Sequence, residues 1–443
     1  MMQHKPISKR IDWLMIWLYF IIVMIGLISI FSVEFKSGDD FFQGILGFEK
    51  NYSRQAVFFL FCLVLAVFIL LTDSKAFTAM ANLLYLLGIV LMLATFVLGK
   101  EVNGSKSWIP LGFMNLQPVE MAKIFTALAL SKYLSLPDID LTKPRAQFIA
   151  AGISFAPIVF SVLQNETGLA LVYFAFLIPM YREGLPPVYL IGGASLAVLL
   201  IVTLLLPTKL LVIILSIIAA LVIFFMRTTF QRNHKNLFWI IGLWSVSCLF
   251  VGLVVPFMFK KVFQPYQADR IFSMVGKDNP FISKDSTALL NPLKKKPVEN
   301  YNVKQSKIAI GSGGFFGKGF LKGTQTQGDF VPEQHTDFIF TSLGESFGFV
   351  GCAVLMLLYL FMLLRIVYIA ERQRSVFSRV YAYSVAGILF FHLAVNIGMT
   401  IGLAPVIGIT LPLMSYGGSS LLTFTIMLFI LIKLDTDRQM VLR

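Results

Sequence analysis

The chain has 443 residues, 57% of them hydrophobic and only 14% charged. That balance excludes a soluble globule, because apolar runs of about 18 to 25 residues, each able to cross about 30 Å of hydrocarbon, recur from end to end. The net charge of +14 invites a nucleic-acid reading, but Lys and Arg fall in the short stretches between apolar runs, as the positive-inside bias requires. No nucleic-acid partner is expected. Period-two alternation is missing, which excludes a transmembrane barrel and leaves an all-α polytopic membrane protein.

Twelve spans are predicted in chain order, at 11–33, 55–71, 77–98, 118–134, 146–163, 168–180, 188–206, 209–226, 237–259, 338–369, 380–402 and 412–434. The sixth is short, and the tenth is long enough to extend beyond the bilayer. The first follows MMQHKPISKR and is too long for a signal-peptide core, so it reads as an uncleaved helix. Cys62, Cys248 and Cys352 all lie inside apolar runs and read as small core residues, with no disulfide framework and no zinc spacing.

With the N-terminus inside, the inner segments carry Lys9 and Arg10, Lys75, Lys132 and Arg145, Arg182, Arg227, Arg372 and Arg379, and Arg438. Every inner segment is basic, so both termini are expected in the cytoplasm. Lys294, Lys295 and Lys296 sit in the long outer loop 260–337, and long loops are exempt from the rule. The organisation expected is one integral membrane domain over 1–443 carrying this large extracytoplasmic loop.

Four outer segments hold most of the polar chemistry. In the first, NGSKSWI precedes QPVEMAK, where Pro118 suits a helix start and Glu120 and Lys123, three apart, share one helix face. Lys106 and Trp108 lie beside them. An intramembrane ion pair with an interfacial Trp explains this as well as a functional site does, although ionisable groups at the mouth of a span are functional candidates by default. The second is the junction Gln164-Asn165-Glu166-Thr167-Gly168, which a turn with a solvated acid explains equally. The third, 266–301, holds Asp269, Asp278, Asp285 and Glu299, where solvated carboxylates are the plain reading.

The fourth segment is IAIGSGGFFGKGFLKGTQTQGDFVPEQHTDFIF, polar and glycine-rich. It fails as a phosphate loop, because Ser312 stands where the first Gly belongs and Gly319 follows Lys318. Glycines such as Gly313 and Gly314 are expected to allow tight turns and close backbone approach. Thr336 or Asp337 is the expected N-cap of the next helix. His335 beside Glu333 would suit a metal or acid–base group, but no second His lies at ligand spacing, so no metal site is expected.

Together these segments resemble the SEDS family (shape, elongation, division and sporulation), the peptidoglycan glycosyltransferases of the RodA/FtsW type. NGSKSWI, LQPVEMAK, LQNETG, the fourth segment and NIGMTIGLAPVIGITLPLMSYGGSSL occur in the family's order over roughly 100 to 425. GTQTQ with PEQHTDFIF is similar to the rod-elongation (RodA) branch rather than the division branch. The family core has ten spans, so an extra helix pair is placed at 186–226. The family's Q-P-D-x-G is LQNETG here, with the acid Glu166 kept and the proline lost.

The resemblance implies polymerisation of lipid II into glycan strands on the outer face of a bacterial cytoplasmic membrane, for elongation and rod shape. The acceptor C4 hydroxyl attacks the donor C1 with inversion, releasing undecaprenyl pyrophosphate. The family's catalytic Asp stands just before a proline; Asp278, in KDNP, fits best, with Asp285 as the alternative. Lys123, with Lys106, Lys307 or Lys318, is expected to offset the pyrophosphate charge, with Glu120 fixing Lys123. Glu166, Gly313, Gly314, His335, Asp337, Asn396, Ser415, Gly417 and Gly418 are implied as site-shaping. A divalent cation assisting the pyrophosphate stays open as a cofactor. The implied partners are a class B penicillin-binding protein transpeptidase and other elongation-complex proteins. Two other classes stay open: a lipid II flippase and a non-catalytic scaffold. Transporters place binding groups near the midplane, whereas the polar groups here gather at one face.

Overall fold

The computed structural model describes residues 11–36, 48, 50–102, 105–112, 114–227, 234–262, 268, 271–272 and 298–439. The chain divides into two compact units, Met1–Pro186 with Asn302–Arg443, and Pro187–Tyr301.

The first unit opens with α1 (Trp13–Glu34), whose amide at Met15 is capped by Asp12 at 3.2 Å. Its last residue, Glu34, caps α2 (Asn51–Leu71), accepting from the Asn51 amide at 2.7 Å. One carboxylate thus satisfies a helix start that has no intrahelical partner, and the macrodipole favours it there. Next comes α3 (Ser74–Leu98), capped by Asp73. A small antiparallel sheet follows, β1 (Lys100–Val102), β2 (Ser105–Pro110) and β3 (Asn115–Leu116) in that order, with Lys100 opposite Trp108 and Ile109 opposite Leu116. Then run α4 (Pro118–Leu134), α5 (Pro144–Leu163) and the short α6 (Thr167–Arg182), which tightens to a 3₁₀ turn at Tyr173–Phe176.

The second unit holds α7 (Val188–Leu205), α8 (Thr208–Phe225) and α9 (Asn236–Lys261). Among the described residues, α7 and α8 bury one side chain each, Leu204 and Leu211. Helices apolar all round yet so little buried by protein are suited to hydrocarbon contact. Around Pro256, which has no amide to donate, α9 passes through π-helical turns at Phe250–Val254 and Met258–Val262.

The remaining elements are α10 (Val298–Gly313), α11 (Thr324–Gln327), α12 (Ile339–Glu371), α13 (Val376–Thr400) and α14 (Gly418–Thr436). From Asn302 onward they complete the first unit. Its interior helix is α14, with 94% of its apolar window buried against 22% for α3. Buried tyrosines there end on partners, Tyr19 on the Thr425 hydroxyl at 2.9 Å and Tyr173 on the Val119 carbonyl at 3.0 Å.

Ten helices among the described residues are long and apolar enough to cross a membrane, and the protein is a multi-pass membrane protein. The expected spans at 118–134 and 168–180 are helical but shorter, as α4 with 17 residues and as α6. The last expected span starts too early. Residues 401–417 stay irregular, and α14 begins at Gly418.

The long helix α12 is interrupted at Gly348, which has φ +64°, a conformation that favours glycine. The break would orphan two helical carbonyls and two amides, and the glycine-rich segment takes all four. Lys318 and Gly319 donate to the Glu345 and Ser346 carbonyls, both at 3.0 Å. Phe349 and Val350 donate in turn to the Gly314 and Phe315 carbonyls, at 3.0 and 3.1 Å. A side chain on Gly317 would overlap the Ser346 carbonyl oxygen. Neither Thr336 nor Asp337 caps α12: Phe338 stands at that position, with no side-chain bond. Thr336 is drawn back to Glu333 at 3.0 Å, and the Asp337 carbonyl is taken by Asn396.

Opposite the sheet and loops, Asp12 receives Arg365 at 2.7 Å and Arg372 at 2.9 Å, and Arg372 also pairs with Asp435. This network ties the ends of α1, α12 and α14.

Candidate active site

The conspicuous polar segments of the first unit meet at the loop-bearing end of the bundle. In β2 successive side chains point to opposite sides, so Ser105 and Ser107 are buried while Lys106 is exposed and Trp108 half-buried. Both serine hydroxyls donate to Glu166 Oε1, Ser105 at 2.9 Å and Ser107 at 2.6 Å. Glu166 therefore binds the hairpin to the α5–α6 junction. Gln164, beside it, donates to the Met92 carbonyl at 2.8 Å and Thr95 at 2.7 Å. Asn165 supplies the left-handed turn at φ +64°.

At the start of α4, the Gln117 amide donates to Ser419 at 3.0 Å, which seats this helix against α14. Glu120 and Lys123 form an ion pair at 2.8 Å, with side-chain exposures of 3% and 0%. Lys123 Nζ also lies 2.7 Å from His392 Nε2 and 5.5 Å from the Phe424 ring centre. The expected contact of Lys123 with pyrophosphate needs an open amine; this one is enclosed by a carboxylate, an imidazole and an aromatic face. The pair is buried within the bundle, in the first two turns of α4.

The end of the long loop is stitched to residues 396–417. Ser415 Oγ donates to the Thr336 carbonyl at 2.6 Å and accepts from the Leu411 amide at 2.8 Å. The Tyr416 amide donates to the His335 carbonyl at 2.8 Å, and the two rings meet edge-on at 5.8 Å. Asn396 Nδ2 donates to the carbonyls of Asp337 at 2.9 Å and Ile409 at 2.6 Å. Gln55 holds the same segment from α2, donating to the Ser415 carbonyl at 3.3 Å and accepting from Gly417 at 3.1 Å. Gly418 faces the Phe58 ring, and Gly313 lies against the Gly344 carbonyl. Lys307 is exposed, its amine running over Gly402.

Glu345 is fully buried. Its Oε1 accepts from Lys318 Nζ at 2.8 Å and the Gln325 amide at 2.9 Å, and its Oε2 accepts from the Thr326 amide and hydroxyl, both at 2.9 Å. One carboxylate thus organises the GTQTQ turn and holds Lys318. From that turn, Gln327 reaches the carbonyls of Ser32 and Phe35 at the end of α1.

Three residues missed in the sequence belong to this arrangement: Gln55, Glu345 and His392. Each is a polar group inside an expected span, which is the signal that would have singled it out. Asp278 and Asp285 lie outside the described residues. Among the described residues no group of three or more His, Cys, Asp or Glu gathers as a metal site.

The model of the cell cycle protein family of FtsW, RodA and SpoVE matches residues 12–211 and 243–440, and the chain belongs to that family. The unmatched stretch between them overlaps the second half of the extra helix pair expected at 186–226. Peptidoglycan glycosyltransferase MrdB of Escherichia coli K12 is 30% identical over 379 residues, covering 85% of this chain and 84% of that protein. Peptidoglycan glycosyltransferase RodA of Treponema pallidum (strain Nichols) is 30% identical over 445 residues, covering 96% and 97%. A chain from a solved peptidoglycan synthase complex, described as coordinating polymerization and crosslinking, superposes with TM-score 0.67 at 24% identity, covering 97% and 98%. Rod shape determining protein RodA of Thermus thermophilus superposes with TM-score 0.59 at 23% identity, covering 97% and 98%. These structural likenesses bear on the fold alone. The family expected from the motifs is the family shown, and the RodA-like character of the loop agrees with these relatives.

Proposed function

We infer that this chain is a peptidoglycan glycosyltransferase of cell-wall synthesis, the activity that its MrdB and RodA relatives carry in their names. The observation that carries the reading into the structure is the joining of the Ser105–Ser107 hairpin, the Glu166 junction, the loop 335–337 and residues 409–417 at one end of an apolar bundle. A polar end above apolar helices suits a substrate with a long lipid tail and a charged sugar–pyrophosphate head. We read that substrate as lipid II, used at the extracytoplasmic face of the cytoplasmic membrane with both termini inside.

In this reading the acceptor C4 oxygen forms a bond to the donor C1 while the C1–O bond to pyrophosphate breaks. Undecaprenyl pyrophosphate leaves with that electron pair, and the configuration at C1 inverts. The hydroxyl proton passes to a carboxylate, for which Asp278 is the best candidate and Asp285 the alternative. The exposure of Lys106 and Lys307 supports a role for them in offsetting the leaving charge, whereas Lys318 is shared with Glu345. Glu120 and Lys123 brace the start of α4 from within. The synthase complex to which the fold is similar pairs polymerization with crosslinking, which supports a transpeptidase of the class B penicillin-binding type as partner here, within a larger elongation complex.

The experiment is incubation of the purified protein with lipid II. Glycan strands support the reading. Lipid II crossing vesicles without strands identifies a flippase, and neither outcome identifies a scaffold.

A further inference from the structure

His392 is wholly buried on α13, between the Glu120–Lys123 pair of α4 and the irregular segment 401–417. Its two ring nitrogens face different elements. Nε2 lies 2.7 Å from Lys123 Nζ, and Nδ1 lies 3.2 Å from the Thr410 carbonyl oxygen. The partners dictate the tautomer. An ammonium has only hydrogens to offer, so Nε2 must accept; a carbonyl only accepts, so Nδ1 must carry the proton. The ring is thereby neutral, and the single negative charge of Glu120 balances the single positive charge of Lys123. Two N–H groups of Lys123 are then spent on Glu120 Oε2 and His392 Nε2, and the ammonium lies 5.5 Å from the Phe424 ring centre, a cation–π distance. The Phe424 ring also meets the imidazole edge-on, at 5.0 Å and 89°.

Thr410 is no isolated acceptor. Its hydroxyl bonds Ser420 at 2.9 Å, and the preceding carbonyl, that of Ile409, accepts from Asn396, which also holds Asp337. We propose that His392 is a positioning residue which, as the Nδ1-protonated imidazole, couples the buried Glu120–Lys123 pair to the 409–417 segment at the loop-bearing end of the bundle. The ring works as a two-ended strut. One end neutralises a buried donor of Lys123, and the other fixes the backbone to which the residues around Asp337 are tied. Part of the test rests on the glycosyltransferase reading above, so the test has one arm that does not.

The chain has four histidines, His4, His234, His335 and His392. Labelling them with ¹³C and ¹⁵N in the full-length protein in lipid, with His392 assigned by the signal lost in His392→Gln, reads its tautomer directly. The Nδ1-protonated neutral form is expected. An Nε2-protonated ring or an imidazolium overturns the proposal, whether or not the protein polymerises anything. In the second arm, glycan synthesis from lipid II is compared between variants. Gln offers one acceptor and one donor at similar reach, so His392→Gln is expected to stay within about threefold of wild type. His392→Leu, which offers neither, should lose at least about tenfold in kcat with little change in KM, the size expected when a bond to a charged group is removed. Equal loss in both variants, or none in His392→Leu, overturns the coupling. If wild type itself makes no strands, the functional reading fails and the tautomer alone decides the place of His392.

Discussion

The hydroxyl of Ser107 donates to Glu166 Oε1 at 2.6 Å, across 59 residues of sequence. With Ser105 on the same oxygen, this bond makes a strand and a helix junction behave as one piece at the loop-bearing end. Glu166→Ala removes the acceptor of the buried Ser107 hydroxyl and one of those of Ser105, which keeps the Gln164 carbonyl at 2.9 Å. It is expected to destabilise the protein by about 1–3 kcal/mol, the cost of leaving buried polar groups unpaired, while Glu166→Gln, which keeps an accepting oxygen, costs less. Thermal unfolding in detergent checks this; a Glu166→Ala protein that melts with wild type would show the junction is held by something else.

Two residues further on, Gly168 packs so closely on Ile407 that a methyl group there would overlap the Ile407 carbonyl oxygen. Gly168→Ala is expected to cost about 1–3 kcal/mol, as overpacking does. Gly193, inside α7 with open space around it, is the control, where Ala is neutral or stabilising by about 0.5–1 kcal/mol. Equal melting of the two variants would remove the close approach from the account.

Glu345→Ala leaves the Gln325 and Thr326 amides without their acceptor and releases Lys318. Because Lys318 is a quarter exposed and can turn to water, the loss should fall below the about 3–5 kcal/mol of a fully buried broken pair. The local signature is sharper. Hydrogen exchange at residues 324–327 should accelerate while α14 keeps its protection. Unchanged exchange there would mean that the turn holds without the carboxylate.

The end of α1 opposite the loops should respond to acid. Burial pushes the Asp12 carboxyl up, but hydrogen bonds from Arg365 and the Met15 amide, with the charges of Arg365 and Arg372, outweigh it and hold Asp12 below the ordinary carboxylate range. A carboxylate depressed on folding contributes stability that is fully present above its unfolded value near about 3.9 and is lost as pH falls through the folded value. Stability should therefore drop on acidification below about pH 4. Arg365→Gln should flatten that drop, measured as melting temperature against pH. An identical acid limb in the variant would place the titration elsewhere.

For the chemical step, Asp278→Ala is expected to abolish glycan synthesis while the protein still inserts and melts normally, since loss of a general base alone costs about 10²–10⁴-fold. Activity retained in Asp278→Ala but lost in Asp285→Ala would shift the assignment along the loop. Wild-type rates in both would end the general-base reading.

Much of this was legible in the sequence, and for identifiable reasons. Apolar runs located the helices because hydrocarbon demands length and continuity. The pairing of Glu120 with Lys123 followed from helical spacing. What the sequence could not reveal was enclosure: nothing local says that Lys123 would be sealed off by His392 and Phe424 from two distant helices. The cap of α12 was misplaced for a similar reason. Thr336 has the right chemistry, but Glu333 claims its hydroxyl first. The interruption at Gly348 was hidden inside an unbroken apolar run, because its cause lies about thirty residues upstream, in backbone groups with no side-chain signature. Glu345 went unremarked because an acid seven residues into a span looks like an error until its six donors are seen together.

The stitching of His335, Thr336 and Asp337 by Asn396, Ser415 and Tyr416 has a consequence for biogenesis. Synthesis proceeds from the N-terminus, so the start of α4, the junction and the loop at 335–337 all leave the ribosome before their partners in 396–419 exist. Gln117 waits for Ser419, and Gly168 waits for the backbone at Ile407. A nascent chain halted after α12 would be inserted in the membrane yet open at that end. Catalytic competence would then arrive late and all at once, with the emergence of α14, which spares the cell a half-assembled polymerase.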